Sequence, residues 1–348
     1  MLQFVEARRR LLGLITASSA AVLLAACGGD GNPVFNPPAS GQKYSQAVVV
    51  GASISDTGNT CAANPSSCPP SPPYAAGGVY SNGSLWIQNV AANYKVAVAP
   101  SLKGGTNYAY GGARTGAVPA PVTGAAALTA SVPSMVQQLD TYFSSTGLRA
   151  DPNALYVVDA TTFGNNFNAA AAAFTEAVKA GQVPASGQTA YFTAVTTQAV
   201  TDIVGIVNKL YFAGARQVLV VNVPNLGVTP LLTGNGAEPG NASATAATQL
   251  SFGFNQNLTA QFAGFASSWA GMNLKTFDTF SLNTQVAQNP ASLGFTNGTA
   301  ACFVAPSTSL PAGSLCATPG TYFYWDSLHP TAATGKLFSD RVIGLLGN

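Results

Sequence analysis

The apolar residues of this chain fall into two spacings. Largely apolar runs at 46–51, 155–158 and 217–223 read as strands buried on both faces, and 274–277 reads as a short strand. Helical spacing lies between them. Leu85, Trp86, Ile87, Val90, Ala91 and Tyr94 share one face, and Met135, Val136, Leu139 and Phe143 share another. Pro133 suits the first turn of that second helix. An Ala-rich helix is predicted over 169–180 and a longer one over 189–213. A further helix is expected over 243–270, with Ser243 as its N-cap despite Gly253 and Gly264. An amphipathic helix over 331–346 closes the chain. The turn Lys103-Gly104-Gly105 precedes a short strand near 107–110, and residues 64–73, with five prolines, read as a loop. Strands alternate with helices throughout, and the strand runs are continuously apolar. That combination predicts an α/β chain with a parallel sheet covered on both faces by helices. No internal repeat and no second linker interrupts it, so one domain is expected over about 44–348.

Composition narrows the class. Hydrophobic residues make up 47% and charged residues 7% of 348, against roughly 25% charged in an average soluble domain. Such a chain is not disordered, and Ser, Thr, Asn, Gln and Gly must cover its surface. The net charge is +2, but Arg8, Arg9, Arg10 and Glu6 sit in the first ten residues, and the remainder carries eleven basic and eleven acidic residues. No clustered basic face is available for nucleic acid.

The first 27 residues read as an address. Arg8–Arg10 form a positive segment, and the sixteen residues 11–26 are apolar, short for a membrane span and suited to a secretory signal. The stretch ends Leu24-Ala25-Ala26-Cys27, which resembles a bacterial lipobox with Cys27 as the acylated residue. A lipid there would tether the chain to a membrane face without spanning it. Gly28 and Gly29 follow, with no aspartate beside the cysteine, a pattern that in bacterial lipoproteins favours the outer membrane. Residues 28–43, rich in Gly, Pro and Asn, read as a flexible tether. Four further cysteines remain: Cys61, Cys68, Cys302 and Cys316. In an exported chain an even number suggests disulfides. Of the three pairings, the local one, Cys61 with Cys68 and Cys302 with Cys316, is preferred because it closes short loops. A metal site is disfavoured by the single histidine and the lack of a tight Cys-x-x-Cys pair.

Candidate chemistry lies just past the strand ends, where open parallel sheets collect functional residues. Ser53 follows the first strand in "GASISDTGN" (51–59). His329, the only histidine, stands three residues after Asp326 in "WDSLHPT" (325–331). That spacing lets the carboxylate turn back onto one imidazole nitrogen and leaves the other to take a proton from a serine. The competing role for Asp326 is to cap the last helix. "NYAYGGART" (107–115) offers Gly111 and Gly112 for close backbone approach to a substrate, and "FGNNF" (163–167) offers an asparagine side chain to a developing oxyanion.

Taken together, these blocks resemble the GDSL lipases and esterases of the SGNH hydrolase superfamily. Ser53 matches the first block, Gly112 the second, Asn165 the third, and Asp326 with His329 the last; the likeness covers about 47–345. It implies a flavodoxin-like three-layer α/β/α sandwich with about five parallel strands. It also implies a serine esterase or lipase with Ser53, His329 and Asp326 as its triad, and with the Ser53 amide, the Gly112 amide and Asn165 as its oxyanion hole. No cofactor or metal enters such a mechanism. Substrates would be small-molecule or lipid esters, with phospholipids and O-acetylated polysaccharide as alternatives. The chain departs from the pattern at Ala52, at Ile54 and in the spacing around Asn165. Gly111 and Gly112, and Asn165 and Asn166, are not separable by sequence. A second reading is a surface lipoprotein that binds through a retired hydrolase fold. Tyr108, Tyr110 and Phe163 are candidates for either the acyl pocket or the core.

Overall fold

The computed structural model describes residue 35 and residues 37–307 and 313–347. The leader, Cys27 and half of the tether lie outside the described residues. Within Phe35–Asn348, one compact unit, the chain runs β1 (Ala47–Val50), α1 (Asn59–Ala63), α2 (Trp86–Tyr94), α3 (Met135–Thr146) and β2 (Leu155–Asp159). It continues through α4 (Phe163–Lys179), α5 (Gln188–Ala213), β3 (Gln217–Val221), α6 (Ala242–Phe265), β4 (Asn273–Phe277) and α7 (Thr279–Gln288). Short strands β5 (Asn297–Ala301), β6 (Phe303–Val304), β7 (Ser314–Leu315) and β8 (Tyr322–Tyr324) lead to α8 (Ala332–Leu346).

The main sheet has the order β1-β2-β3-β4, all parallel, with Val49 beside Val157, Val157 beside Leu219 and Leu219 beside Lys275. The fifth position is filled by an irregular segment rather than a regular strand. Val49 N–H donates to Thr106 O at 3.1 Å, and Tyr108 N–H donates to Val49 O at 2.8 Å. The edge over 106–110 thus lies against β1 and places β1 inside the sheet.

The two sheet faces bury separate cores, because successive side chains of a strand point to opposite sides. Val48, Val50, Tyr156, Val158, Val218 and Val220 face α3, α4, α5 and α6. Ala47, Val49, Leu155, Val157, Leu219 and Val221 face α2, α7 and α8. This is the three-layer α/β/α arrangement, with every β1 and β2 residue buried.

Several boundaries differ from the sequence expectation. The helix expected over 169–180 begins at Phe163, because Asp159 accepts from Thr161 N–H and caps a 3₁₀ turn that runs straight into α4. Asn165 and Asn166 are therefore helical. The cap of α6 is Asn241, whose side chain accepts from Ala244 N–H, and Ser243 lies inside the helix. The last helix is capped by Thr331, which leaves Asp326 free for other contacts. The four cysteines pair locally, Cys61 with Cys68 and Cys302 with Cys316.

Candidate active site

Ser53 stands two residues past Gly51, just beyond the end of β1. Gly51 is required there: a Cβ on it would lie 2.7 Å from the Asp159 Cβ at the end of β2. The turn after Ser53 is held by Asp56, which is fully buried. Its Oδ1 accepts from the N–H of Gly58 and Asn59, and its Oδ2 from the Thr60 hydroxyl and Gly111 N–H. Asn59 carries the link further, donating to the carbonyls of Asn107 and Ala109. One buried carboxylate and one buried amide therefore tie the serine turn to the glycine segment. Beneath them Asp159 accepts from the Ser55 hydroxyl at 2.7 Å. Burial raises the Asp159 carboxyl above its ordinary value, against the pull of the Ser55 and Thr161 hydrogen bonds.

The far end of the chain supplies the partner. Trp325 N–H donates to His329 O at 2.7 Å and closes a tight turn. Inside it Asp326 Oδ1 accepts from the backbone N–H of Leu328 and of His329, both at 2.8 Å. Asp326 thus caps the turn that carries the histidine, not the helix after it. Its Oδ2 lies 2.7 Å from His329 Nδ1, and His329 Nε2 lies 2.9 Å from Ser53 Oγ. Burial pushes the Asp326 carboxyl upward, but the His329 imidazole, the Tyr74 hydroxyl and the His329 N–H outweigh it and hold it at about 2.

The remaining predicted residues separate cleanly. Gly111 N–H is already spent on Asp56 and Thr60, and a Cβ there would strike the Tyr80 ring. Gly112 has φ +78°, with nothing within 4 Å of an added Cβ, and it lines the cleft beside Ser53. Among the described residues the N–H groups of Ser53 and Gly112 have no partner. Asn165 also lines the cleft, and its amide donates to Ala113 O at 2.7 Å, which leaves a second N–H available. Asn166 is buried and engaged with the Thr115 N–H and hydroxyl. Geometry therefore gathers Ser53, Gly112, Asn165 and His329 around one cleft and turns Gly111 and Asn166 into the scaffold.

The cleft has a volume of about 220 Å³. Its apolar wall includes Phe167, Leu226, Leu231, Leu232, Phe323 and Phe338, and among the described residues no Asp, Glu, Lys or Arg lines it. Tyr108, Tyr110 and Phe163 do not line it. Tyr108 and Phe163 belong to the core under α3–α6, where Phe163 meets Phe254 at 4.8 Å, and Tyr110 packs with Ala52 and Ala113. Two contacts had no signal in the sequence. The Tyr74 hydroxyl donates to Asp326 Oδ2 at 2.6 Å, and the Tyr80 ring lies 5.0 Å from the His329 ring.

A family model described as GDSL-like Lipase/Acylhydrolase matches residues 48–342. The chain belongs to this family. Esterase EstA of Pseudomonas aeruginosa is 29% identical over 340 residues, which cover 89% of this chain and 48% of that protein. The Esterase EstA of Pseudomonas putida matches to the same extent. GDSL esterase/lipase APG of Arabidopsis thaliana is 25% identical over 145 residues, covering 40% of this chain and 41% of that protein. The chain spans about half the length of the two bacterial esterases. For a GDSL-family chain Ala52 is a departure, and the structure fills its position by packing: Ala52 is 4% exposed, against Tyr110 and Ala113.

Proposed function

We propose that the chain is a serine esterase acting on uncharged carboxylic esters. The observation that carries this reading is the relay of Ser53 Oγ, His329 and Asp326 at 2.9 and 2.7 Å, opening on an uncharged apolar cleft. Ser53 Oγ attacks the ester carbonyl and its proton passes to His329 Nε2. The Ser53 and Gly112 amides and the Asn165 side chain receive the oxyanion. Collapse expels the alcohol, which takes the proton from Nε2, and water then cleaves the acyl-enzyme by the same path in reverse order. Asp326 holds Nδ1–H and so fixes which nitrogen faces the serine.

The lining supports a neutral acyl group, since among the described residues no lysine or arginine lines the cleft to hold a phosphate. The side chains of Phe167, Leu226, Leu231, Leu232 and Phe338 along the cleft support an apolar acyl group. The lipobox-like stretch ending at Cys27 supports an exported, lipid-anchored protein, with the outer membrane as its site.

The test is hydrolysis of p-nitrophenyl esters from acetyl to palmitoyl, with Ser53→Ala and His329→Ala in parallel. Turnover that disappears in both variants is expected. A folded protein with no turnover at any length and no labelling by a fluorophosphonate would replace this reading with the binding lipoprotein.

A further inference from the structure

An ionised carboxylate offers about four acceptor positions, and this chain fills them all on Asp326. Two go to backbone N–H groups of its own turn and one to His329. The fourth goes to Tyr74, which lies 252 residues earlier. Tyr74 is one point of a clasp. Ser81 Oγ donates to Pro330 O at 2.9 Å, Asn82 Oδ1 accepts from Ala332 N–H at 2.8 Å, and the Tyr80 ring lies against His329 at a tilt of 31°. Ala75 N–H donates to Ser81 O and closes the clasp on itself, while Gly78 packs against Cys61 of the Cys61–Cys68 disulfide. Phe303 and Trp325 meet the Tyr74 ring edge-on at 5.8 and 6.2 Å and fix its direction.

We propose that Tyr74 is a positioning residue for the acid–base pair, its hydroxyl holding Asp326 Oδ2 on His329 Nδ1 and sharing that oxygen's charge. The inference rests on the Ser53–His329–Asp326 reading above. Without the hydroxyl, the fourth acceptor position would be left to water, whose direction no wall fixes. Oδ2 would also become a stronger partner for a protonated imidazole, because a hydrogen bond to the carboxylate favours its charge and spreads it. The other titratable groups facing the pair are Tyr80 and, behind it, Asp56.

The experiment is Tyr74→Phe, which keeps the ring edge-on to Phe303 and Trp325. Because His329 is the only histidine of the chain, an untagged protein labelled with ¹⁵N-histidine gives imidazole signals from this residue alone. Loss of a hydrogen bond to a charged group is expected to lower kcat by roughly tenfold with KM nearly unchanged. The acid limb of the rate profile and the ¹⁵N titration midpoint should both move to higher pH. In an Asp326→Asn background the same substitution should have no further effect on kcat. Unchanged kcat and midpoint in a folded Tyr74→Phe protein, with Ser53→Ala inactive, would overturn the positioning role alone. Activity that survives Ser53→Ala would overturn the esterase reading instead, and the ¹⁵N midpoint would still report the Tyr74 coupling. The unsubstituted protein gives an independent check. A cross-peak between the Tyr74 hydroxyl proton and the His329 Nδ1 proton is expected, and its absence would overturn the contact itself.

Discussion

Asp326→Asn is the substitution whose outcome the geometry constrains most tightly. Oδ1 faces two backbone N–H groups at 2.8 Å. An amide must present its oxygen there, since an NH₂ would set donor against donor. The NH₂ is then forced into the place of Oδ2, 2.7 Å from His329 Nδ1 and 2.6 Å from the Tyr74 hydroxyl. Imidazole can meet that donor only by making Nδ1 the acceptor, which puts its proton on Nε2, facing Ser53. The base is then already protonated on the nitrogen that should accept. Loss of a triad acid by this route costs about 10³–10⁴-fold in kcat, which corresponds to roughly 4–5.5 kcal/mol. The assay is steady-state hydrolysis of p-nitrophenyl butyrate beside the unsubstituted protein. A kcat within tenfold of the unsubstituted value would refute the argument that Asp326 sets the tautomer. Stability carries a second signature. The carboxyl is held at about 2 in the fold, against an ordinary 3.8. A depressed value stabilises the fold above the unfolded value, by about 2 kcal/mol, and that contribution is lost as pH falls through about 2. The melting temperatures of the two proteins should therefore differ at pH 7 and converge toward pH 2.

Neighbouring residues make equally distinct predictions. Asn165→Ala should lower kcat by about 10²–10³-fold with the fold intact. Asn166→Ala should instead cost roughly 1–3 kcal/mol in urea unfolding, through its lost bonds to Thr115, with kcat of the folded protein retained. Asp159 has a folded value raised by burial, so its protonated form stabilises the fold at low pH, and that contribution is lost as pH rises through the folded value. Asp159→Asn should therefore gain melting temperature over the unsubstituted protein as pH rises above the ordinary carboxyl value of 3.8; a constant difference would contradict this. Removing the Cys302–Cys316 bridge, which joins residues 14 apart, should cost about 3 kcal/mol in urea unfolding and leave kcat nearly unchanged.

The strands and their alternation with helices were legible because β1, β2 and β3 are unbroken apolar runs with two buried faces. Ser53, Asp326 and His329 could be singled out because one histidine stood three residues after an aspartate, and the structure brings the three side chains together. What escaped was carried by long-range pairing. Tyr74 lies just past the prolines of 64–73, and nothing in its neighbourhood announces a partner 252 residues away. Helix α7 was missed because its fully polar stretches leave only Leu282 and Val286 as buried aliphatic residues, too few for a helical period. The asparagine pair at 165–166 was unresolved because helical geometry alone decides which amide faces the cleft. The tyrosines at 108 and 110 were open between pocket and core, and the packing of the 106–110 edge against β1 places them in the core.

The relay joins atoms 276 residues apart in sequence. Ser53 is laid down with the first strand, whereas His329 precedes the last helix, which packs through Phe338 against Phe277 and Phe323. A nascent or partly refolded chain thus carries an alcohol with no base beside it. Contacts of such separation are slow to form, so the Ser53–His329 contact is complete only once the turn before α8 is in place. On the proposed esterase reading, recovery of activity during refolding should lag behind the return of helical signal, and simultaneous recovery would contradict this.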